Sequence, residues 1–177
     1  MNVGSIPALA ASLSLVYMIS YIIFIVAYII LYVMLNYAFQ FIFKGKINKK
    51  TLKKKSFLII LFSGIFIFSI VFFIKDPEFA NRVQHAIAGG FLTMLISYLS
   101  FKDSEVKLNK LQILILTALI VTFLGVLNEI FEFFVQMNTS LVFALSVNDT
   151  WLDLTANSFG IILGSVFILF DKNIKNK

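Results

Sequence analysis

The chain has no cysteine and only one histidine among its 177 residues. Without cysteine, it cannot form disulfides, thiolate metal sites or a cysteine nucleophile. It also lacks the His-Glu-x-x-His signature of zinc enzymes and the Glu-x-x-His pairs of di-iron bundles. A metal site would therefore have to use oxygen ligands and at most one imidazole.

Charged residues are scarce as well. They make up 14% of the chain, whereas 60% of it is hydrophobic and 16% aromatic. A water-soluble domain of this size cannot bury so much apolar surface. We therefore predict an integral membrane protein folded as one all-α bundle. The amino end lacks the basic segment of a secretory signal, so we expect it to remain uncleaved.

Five apolar segments are long enough to cross a bilayer, which takes about 20 helical residues. They lie near residues 10–38, 56–74, 83–101, 111–136 and 149–170. The first belongs to an apolar stretch, residues 6–43, that exceeds one straight crossing. It is interpreted either as one long tilted helix or as a span followed by a segment along the membrane interface.

Basic residues concentrate in the 44–55 loop, the 102–110 loop and the 172–177 tail; only Lys75 and Arg82 lie elsewhere. Five spans place these three regions on one side. The positive-inside rule then predicts an outside N-terminus and a cytoplasmic C-terminus, in a bacterial-type cytoplasmic membrane. The net charge of +6 is thus explained by topology, and the expected partner is the lipid bilayer and not a nucleic acid.

Two further groups of polar residues receive structural interpretations. Asp103 and Glu105 are expected to be solvated loop charges. Four tyrosines on one stripe of the first helix are interpreted as packing or interfacial anchors. These tyrosines are Tyr17, Tyr21, Tyr28 and Tyr32.

Polar residues that are rare in membrane spans occur at the predicted outer ends of the last three helices. Ionisable groups in hydrocarbon are costly and usually functional. The topology brings all of them to one depth in the outer leaflet, so we predict a single polar site there. Its members are His85 in the third span, Glu129 and Glu132 in the fourth, and Asp149, Asp153 and Asn157 in the fifth.

Glycines lie one helical turn deeper than these polar groups. Gly89 follows His85, Gly125 precedes Glu129, and Gly160 and Gly164 continue the stripe of the fifth helix. Small residues allow membrane helices to approach closely. We therefore expect the three helices to pack together with their acids pointing inward.

Four carboxylates and one imidazole in a low-dielectric site require compensation. A divalent cation, shared protons, or Arg82 and Lys75 folded over the site would each provide it. Carboxylates with one histidine suit magnesium, manganese, iron or zinc. The candidate cofactor is thus a divalent metal ion, and its candidate ligands are His85, Glu129, Glu132, Asp149 and Asp153.

Three functions remain open for this site. It is a catalytic or binding site for a lipid phosphate, a proton or cation relay in a small transporter, or a structural network that locks helices together. The sequence leaves open whether the protein is an enzyme and in which oligomeric state it works. Transport predicts polar residues that continue through the inner leaflet, where the sequence shows almost none.

The segments "RVQHAIAGG", "NEIFEFF" and "DTWLDLTANSFGIILG", in this order within residues 80–165, resemble the VanZ-like superfamily. VanZ proteins proper tend to have a Gln and a downstream Arg after the first Glu. This chain has Glu132 and no such Arg, which favours the YjdF-like branch. By position, the resemblance implies a site made of His85, Glu129, Glu132, Asp149, Asp153, Asn157 and Gly160.

The founding member links this family to glycopeptide-antibiotic resistance. Together with a polar site in the outer leaflet, the resemblance leads us to expect that the protein handles an envelope lipid or a cell-wall precursor.

Overall fold

The structure is a computed structural model that describes residues 5–139 and 146–171, with side chains from residue 21 onward. All regular elements in these residues are helical, and five helices are long and apolar enough to cross a membrane. The prediction of an all-α protein with five membrane-length helices is therefore confirmed.

The five helices follow one another with short connections. The first is one continuous helix, so the segment "NYAFQFIF" near its end extends the helix and does not form a separate element. A short 3-10 turn, Lys49–Thr51, precedes the second helix. The helices are α1 (Ser5–Lys44), α2 (Lys54–Phe72), α3 (Pro77–Asp103), α4 (Lys110–Asn138) and α5 (Val147–Phe170).

Local sequence signals set two of the helix starts. The Asp76 side chain accepts a hydrogen bond from the Phe79 N–H at 3.0 Å, just before Pro77 opens α3. Asn109 and Gln112 exchange side-chain and backbone hydrogen bonds of 2.9 and 3.0 Å in a capping box that begins α4. These caps satisfy N–H groups that a helix leaves unpaired at its start.

Helix α3 forms the centre of the bundle. In the 18-residue apolar stretch of α3, 56% of the residues are buried, whereas the corresponding share in each of the other four helices is at most 33%. The outward faces of the other helices carry large exposed apolar side chains, such as Phe62, Phe131 and Phe134. A continuous apolar exterior of this kind is suited to contact with lipid chains.

The middle of α3 departs from regular α-helix. Residues His85–Leu92 are π-helical, and the Ala88 carbonyl accepts hydrogen bonds from both the Thr93 N–H and the Thr93 hydroxyl, the latter at 3.0 Å. Helix α5 packs directly on this segment through Gly90 and Gly160. A Cβ at Gly160 would overlap the Ala86 carbonyl oxygen and the Gly90 Cα.

The two ends of the bundle differ in chemistry. At one end, here called the site end, α3 and α5 begin and α4 ends. At the other, the basic end, the loop 44–55 faces the end of α3 and the start of α4. Lys110 there donates hydrogen bonds to the Leu169 and Asp171 carbonyls, which ties α4 to the end of α5.

The prediction that Asp103 is a solvated loop charge is wrong. It is the last residue of α3 and only 8% exposed. One of its oxygens, Oδ2, accepts hydrogen bonds from the Tyr32 hydroxyl at 2.7 Å and the Ser56 hydroxyl at 2.5 Å. Asp103 thus joins α1, α2 and α3. Glu105, by contrast, is exposed and lies 3.8 Å from Lys53.

A second buried network lies beside Asp103 at the basic end. The Gln40 amide donates to Asn36 Oδ1 at 2.7 Å and to the Thr51 hydroxyl at 2.8 Å. The Asn36 amide donates to the Ser100 carbonyl at 3.1 Å. The end of α1 is therefore packed on α3 by polar contacts, and this half of the bundle holds more buried polar groups than the sequence indicates.

Candidate functional site

Three helices contribute the polar side chains at the site end. His85 is the first residue of the π-helical segment of α3. Glu129 and Glu132 lie one turn apart on α4. Asp153 and Asn157 belong to the buried face of α5, which continues with Gly160 and Gly164. This face follows the helical spacing of the sequence, because residues four apart lie on the same side of a helix.

Asp153 is the most buried carboxylate of the cluster, with 3% of its surface exposed. The Asn81 amide donates to both of its oxygens at 3.1 Å. The His85 Nε2 lies 3.5 Å from Asp153 Oδ2. These contacts compensate a carboxylate that has been removed from water and connect the start of α3 to α5.

The two glutamates on α4 have different surroundings. The Asn128 amide donates to Glu132 Oε1 at 2.7 Å. Glu129 is only 8% exposed, and its Oε1 has no hydrogen-bond partner among the described residues. Such an oxygen costs about 1–3 kcal/mol when nothing binds it, so it is a candidate position for a hydrogen-bond donor or a cation.

Asn157 lies between α3 and α4, where two glycines leave room for its side chain. A Cβ at Gly89 would overlap its amide oxygen, and a Cβ at Gly125 would lie 3.2 Å from its amide nitrogen. Asn157 is 5% exposed, and its Oδ1 also lacks a hydrogen-bond partner within the described part of the chain. Gly89 and Gly125 therefore make room for a polar side chain, whereas the close helix crossing depends on Gly90.

His85, Glu132 and Asn157 line a cavity of about 430 Å³, whereas Glu129 and Asp153 are not among its lining residues. Helix α1 supplies an apolar wall made of Phe24, Tyr28 and Leu31. The opposite walls are polar and come from α3, α4 and α5. The polar lining residues of these walls are Asn81, Gln84, His85, Thr93, Asn128, Glu132 and Asn157.

Three ligand atoms meet closely at this cavity. One atom each from His85, Glu129 and Glu132 lie within 4.8 Å of one another. Asp149 and Asp153, which the sequence also named as candidate ligands, are not members of this group. Asp149 lies one turn before Asp153 and is half-buried; its N–H donates to the Ser146 hydroxyl at 3.3 Å, which caps α5.

Sequence reasoning missed several residues of the site. Asn81 precedes His85 by four residues, and Asn128 precedes Glu132 by four, so helical spacing would have found both. The sequence gives no signal for the cavity wall on α1, because Phe24 and Leu31 are ordinary apolar residues in a span. Of the two basic residues proposed to compensate the acids, Arg82 lies 3.9 Å from Glu78, and Lys75 is exposed.

Fold and site together define a helical multi-pass membrane protein with a buried polar site at one end of its bundle. Comparisons of the chain with protein-family models, curated proteins and solved structures give no match.

Proposed function

We propose that this protein binds the headgroup of an envelope lipid or a lipid-linked cell-wall precursor in the cavity at the site end. One observation carries the proposal: a cavity with polar walls on three helices and an apolar wall on α1, inside a bundle of membrane-length helices. A lipid likewise joins a polar headgroup to an apolar chain, so the headgroup would contact the polar walls and the chain the apolar wall.

The size and chemistry of the cavity support a headgroup as the ligand. Its volume of about 430 Å³ falls within the range of small-molecule sites, roughly 300–1,000 Å³. The unpaired oxygen of Asn157 and the Glu132 carboxylate line the cavity and accept hydrogen bonds, so we expect a headgroup with hydroxyl or amine groups. His85, with Asp153 beside its ring, is placed to exchange a proton with such a group.

Membership of the VanZ-like superfamily, in its YjdF-like branch, is part of this proposal. It is supported by the spatial relation of the three segments that carry the resemblance. They contribute His85, Glu132 and Asn157 to the lining of one cavity. The proposed location is the cytoplasmic membrane of a bacterial-type cell, with the cavity in the outer leaflet.

The proposed topology has a simple test because the chain has no cysteine. A single cysteine at Glu78, at the site end, should react with a membrane-impermeant maleimide in intact cells. A single cysteine at Glu105, at the basic end, should react only after the membrane is opened. The reverse labelling pattern would refute the outside N-terminus.

Lipid binding should depend on both kinds of cavity wall. We expect the purified chain to retain lipid in native mass spectrometry when it is offered phosphatidylethanolamine, phosphatidylglycerol or a polyprenyl phosphate. Leu31→Trp fills the apolar wall, and Glu132→Gln removes a charged acceptor. Glu132→Gln should weaken binding about tenfold or more, because a hydrogen bond to a charged group contributes about 1.5–3 kcal/mol. Leu31→Trp should weaken it as well, because the larger ring occupies space in the cavity.

Two matched variants control this experiment. Ile30→Trp adds the same ring on the exposed side of α1, where Ile30 is 52% exposed, and Glu78→Gln removes an exposed acid. Both should bind lipid like the wild type. Equal binding by all five proteins would contradict the proposal. If lipid binding is equal in all five proteins, and proteoliposomes that contain the chain conduct protons only when Glu129 is present, the function is transport.

Proton or cation transport is the second candidate, and one observation favours it. Buried hydroxyls continue along α3 from the cavity toward the basic end: Thr93 lines the cavity, Ser97 is fully buried with an unpaired hydroxyl oxygen among the described residues, and Ser100 contacts α1. A chain of buried hydroxyls can relay protons. Against transport, the Asn36, Gln40 and Thr51 network beyond Ser100 is closed by its own hydrogen bonds.

A purely structural role is less consistent with the site. A network that only locks helices together gains most when every buried polar atom is paired. At the basic end the buried polar groups are largely paired, since Asp103 and Gln40 have hydrogen-bond partners from several segments. At the site end, Glu129 and Asn157 each keep an unpaired oxygen, as expected for a site that receives a ligand.

A further inference from the structure

We propose that His85, Glu129 and Glu132 bind one divalent transition-metal ion of the Mn²⁺, Fe²⁺ or Zn²⁺ class. This inference deepens the proposed function, because the ion would lie in the cavity that receives the headgroup. It selects three ligands out of the six polar residues of the site, and it assigns Asp153 and Asn128 to positioning those ligands.

The distances between the ligand atoms fit a single ion. The three atoms lie within 4.8 Å of one another. Nitrogen and oxygen ligands lie about 2.0–2.2 Å from such ions, so three ligands spread evenly around one ion are about 3.8 Å apart at most. Side-chain movements of less than about 1 Å would therefore bring all three atoms into coordination.

The unpaired oxygen of Glu129 is an independent observation that points to a ligand. Glu129 is 8% exposed, its Oε1 has no hydrogen-bond partner among the described residues, and its carboxylate belongs to the three-atom group. Buried charges in proteins are paired or coordinate metals. A bound cation would satisfy this oxygen and also reduce the repulsion between Glu129 and Glu132.

Two of the three ligands already have outer partners. Asp153 faces one ring nitrogen of His85 at 3.5 Å, and an imidazole held in this way can offer its other nitrogen to a metal. The Asn128 amide holds one oxygen of Glu132 at 2.7 Å. Such outer contacts orient metal ligands, and Asp153 is itself oriented by Asn81.

The ligand types select the class of ion. Magnesium and calcium prefer sites made only of oxygen atoms, and copper(I) prefers sulfur. One imidazole with two carboxylates suits manganese, iron and zinc. Since three protein atoms leave positions open on such an ion, the remaining positions would face the cavity and its headgroup.

Metal binding can be measured on the full chain in detergent after treatment with a chelator. We expect Mn²⁺, followed by electron paramagnetic resonance, and Zn²⁺, followed by mass spectrometry after gel filtration, to bind at one ion per chain. Nitrogen hyperfine coupling in the Mn²⁺ signal should report the imidazole. The variants His85→Asn, Glu129→Gln and Glu132→Gln should each lower the affinity at least tenfold, and His85→Asn should abolish the nitrogen coupling.

Glu78→Gln is the matched control, because it removes one exposed negative charge at the same end of the bundle, outside the polar site. It should bind Mn²⁺ within about twofold of the wild type. Absence of a stoichiometric ion in the wild type, or equal weakening by Glu78→Gln, would overturn the proposal. Because the nitrogen coupling is measured on the wild type, it tests whether the imidazole coordinates Mn²⁺ even if a variant fails to fold.

The lipid proposal can fail or succeed separately. Leu31→Trp should leave Mn²⁺ affinity unchanged, because Leu31 belongs to the apolar wall. Lipid retained by chelator-treated protein that binds no Mn²⁺ would overturn only the metal site. Stoichiometric Mn²⁺ without lipid retention would overturn only the headgroup proposal.

Discussion

Replacing Gly160 with alanine is expected to destabilise the protein more than any other single methyl addition in α5. The new Cβ would lie within 3 Å of the Ala86 carbonyl oxygen, the Gly90 Cα and the Phe91 nitrogen. All three are backbone atoms, which cannot rotate away as a side chain can. Overpacking of this kind costs about 1–3 kcal/mol, and we expect the upper part of that range.

The consequence would reach the site, because Gly160 fixes the distance between α5 and the π-helical segment. Separation of these elements would move Asp153 away from His85. Thermal unfolding in detergent measures the stability. Gly64→Ala in α2 is the control, because its added Cβ would meet only a side-chain atom, Ile25 Cγ1, at 3.3 Å. Equal losses in the two variants would show that the backbone contact at Gly160 is not decisive.

Replacing Asp103 with alanine should produce the second large loss of stability, at the opposite end of the bundle. The change leaves the hydroxyls of Tyr32 and Ser56 without their shared acceptor in a buried place. Each unpaired buried group costs about 1–3 kcal/mol. Asp103→Asn retains an acceptor oxygen and should lose clearly less.

Glu105→Ala controls for the loss of a neighbouring acid. Glu105 is exposed and forms only a loose ion pair with Lys53, and exposed pairs contribute about 0–1 kcal/mol. Chemical or thermal unfolding should therefore separate Asp103→Ala from Glu105→Ala by more than the error of the measurement. Similar stabilities would mean that the network of α1, α2 and α3 contributes little to the fold.

These two variants test different parts of one arrangement. At the basic end, the polar groups around Asp103 and Gln40 bond to one another and hold three helices together. At the site end, Asn157 and Glu129 retain free acceptor atoms beside a cavity. Within the described residues, the polar groups around Asp103 and Gln40 are thus paired at the basic end, whereas two acceptor atoms are unpaired at the site end, as the proposed binding site requires.

The sequence by itself determined the features that depend on one helix at a time. Long apolar runs predict helices of membrane length, because a helix pairs its own backbone groups in lipid. The four-residue spacing of Asp153 and Asn157, followed by Gly160, predicts the buried face of α5. Caps such as Asn109 with Gln112 are likewise readable from neighbouring residues.

Only the tertiary structure decided the features that depend on distances between helices. It pairs Gly160 with Gly90 and places Asn157 against Gly89 and Gly125. It gives α3 a π-helical segment that begins at His85. It also buries Asp103, which the sequence placed in a solvated loop, because a hydroxyl on each of α1 and α2 lies within bonding distance. Helical periodicity fixes which side chains share a face, but side chains on different helices meet only after the helices have packed.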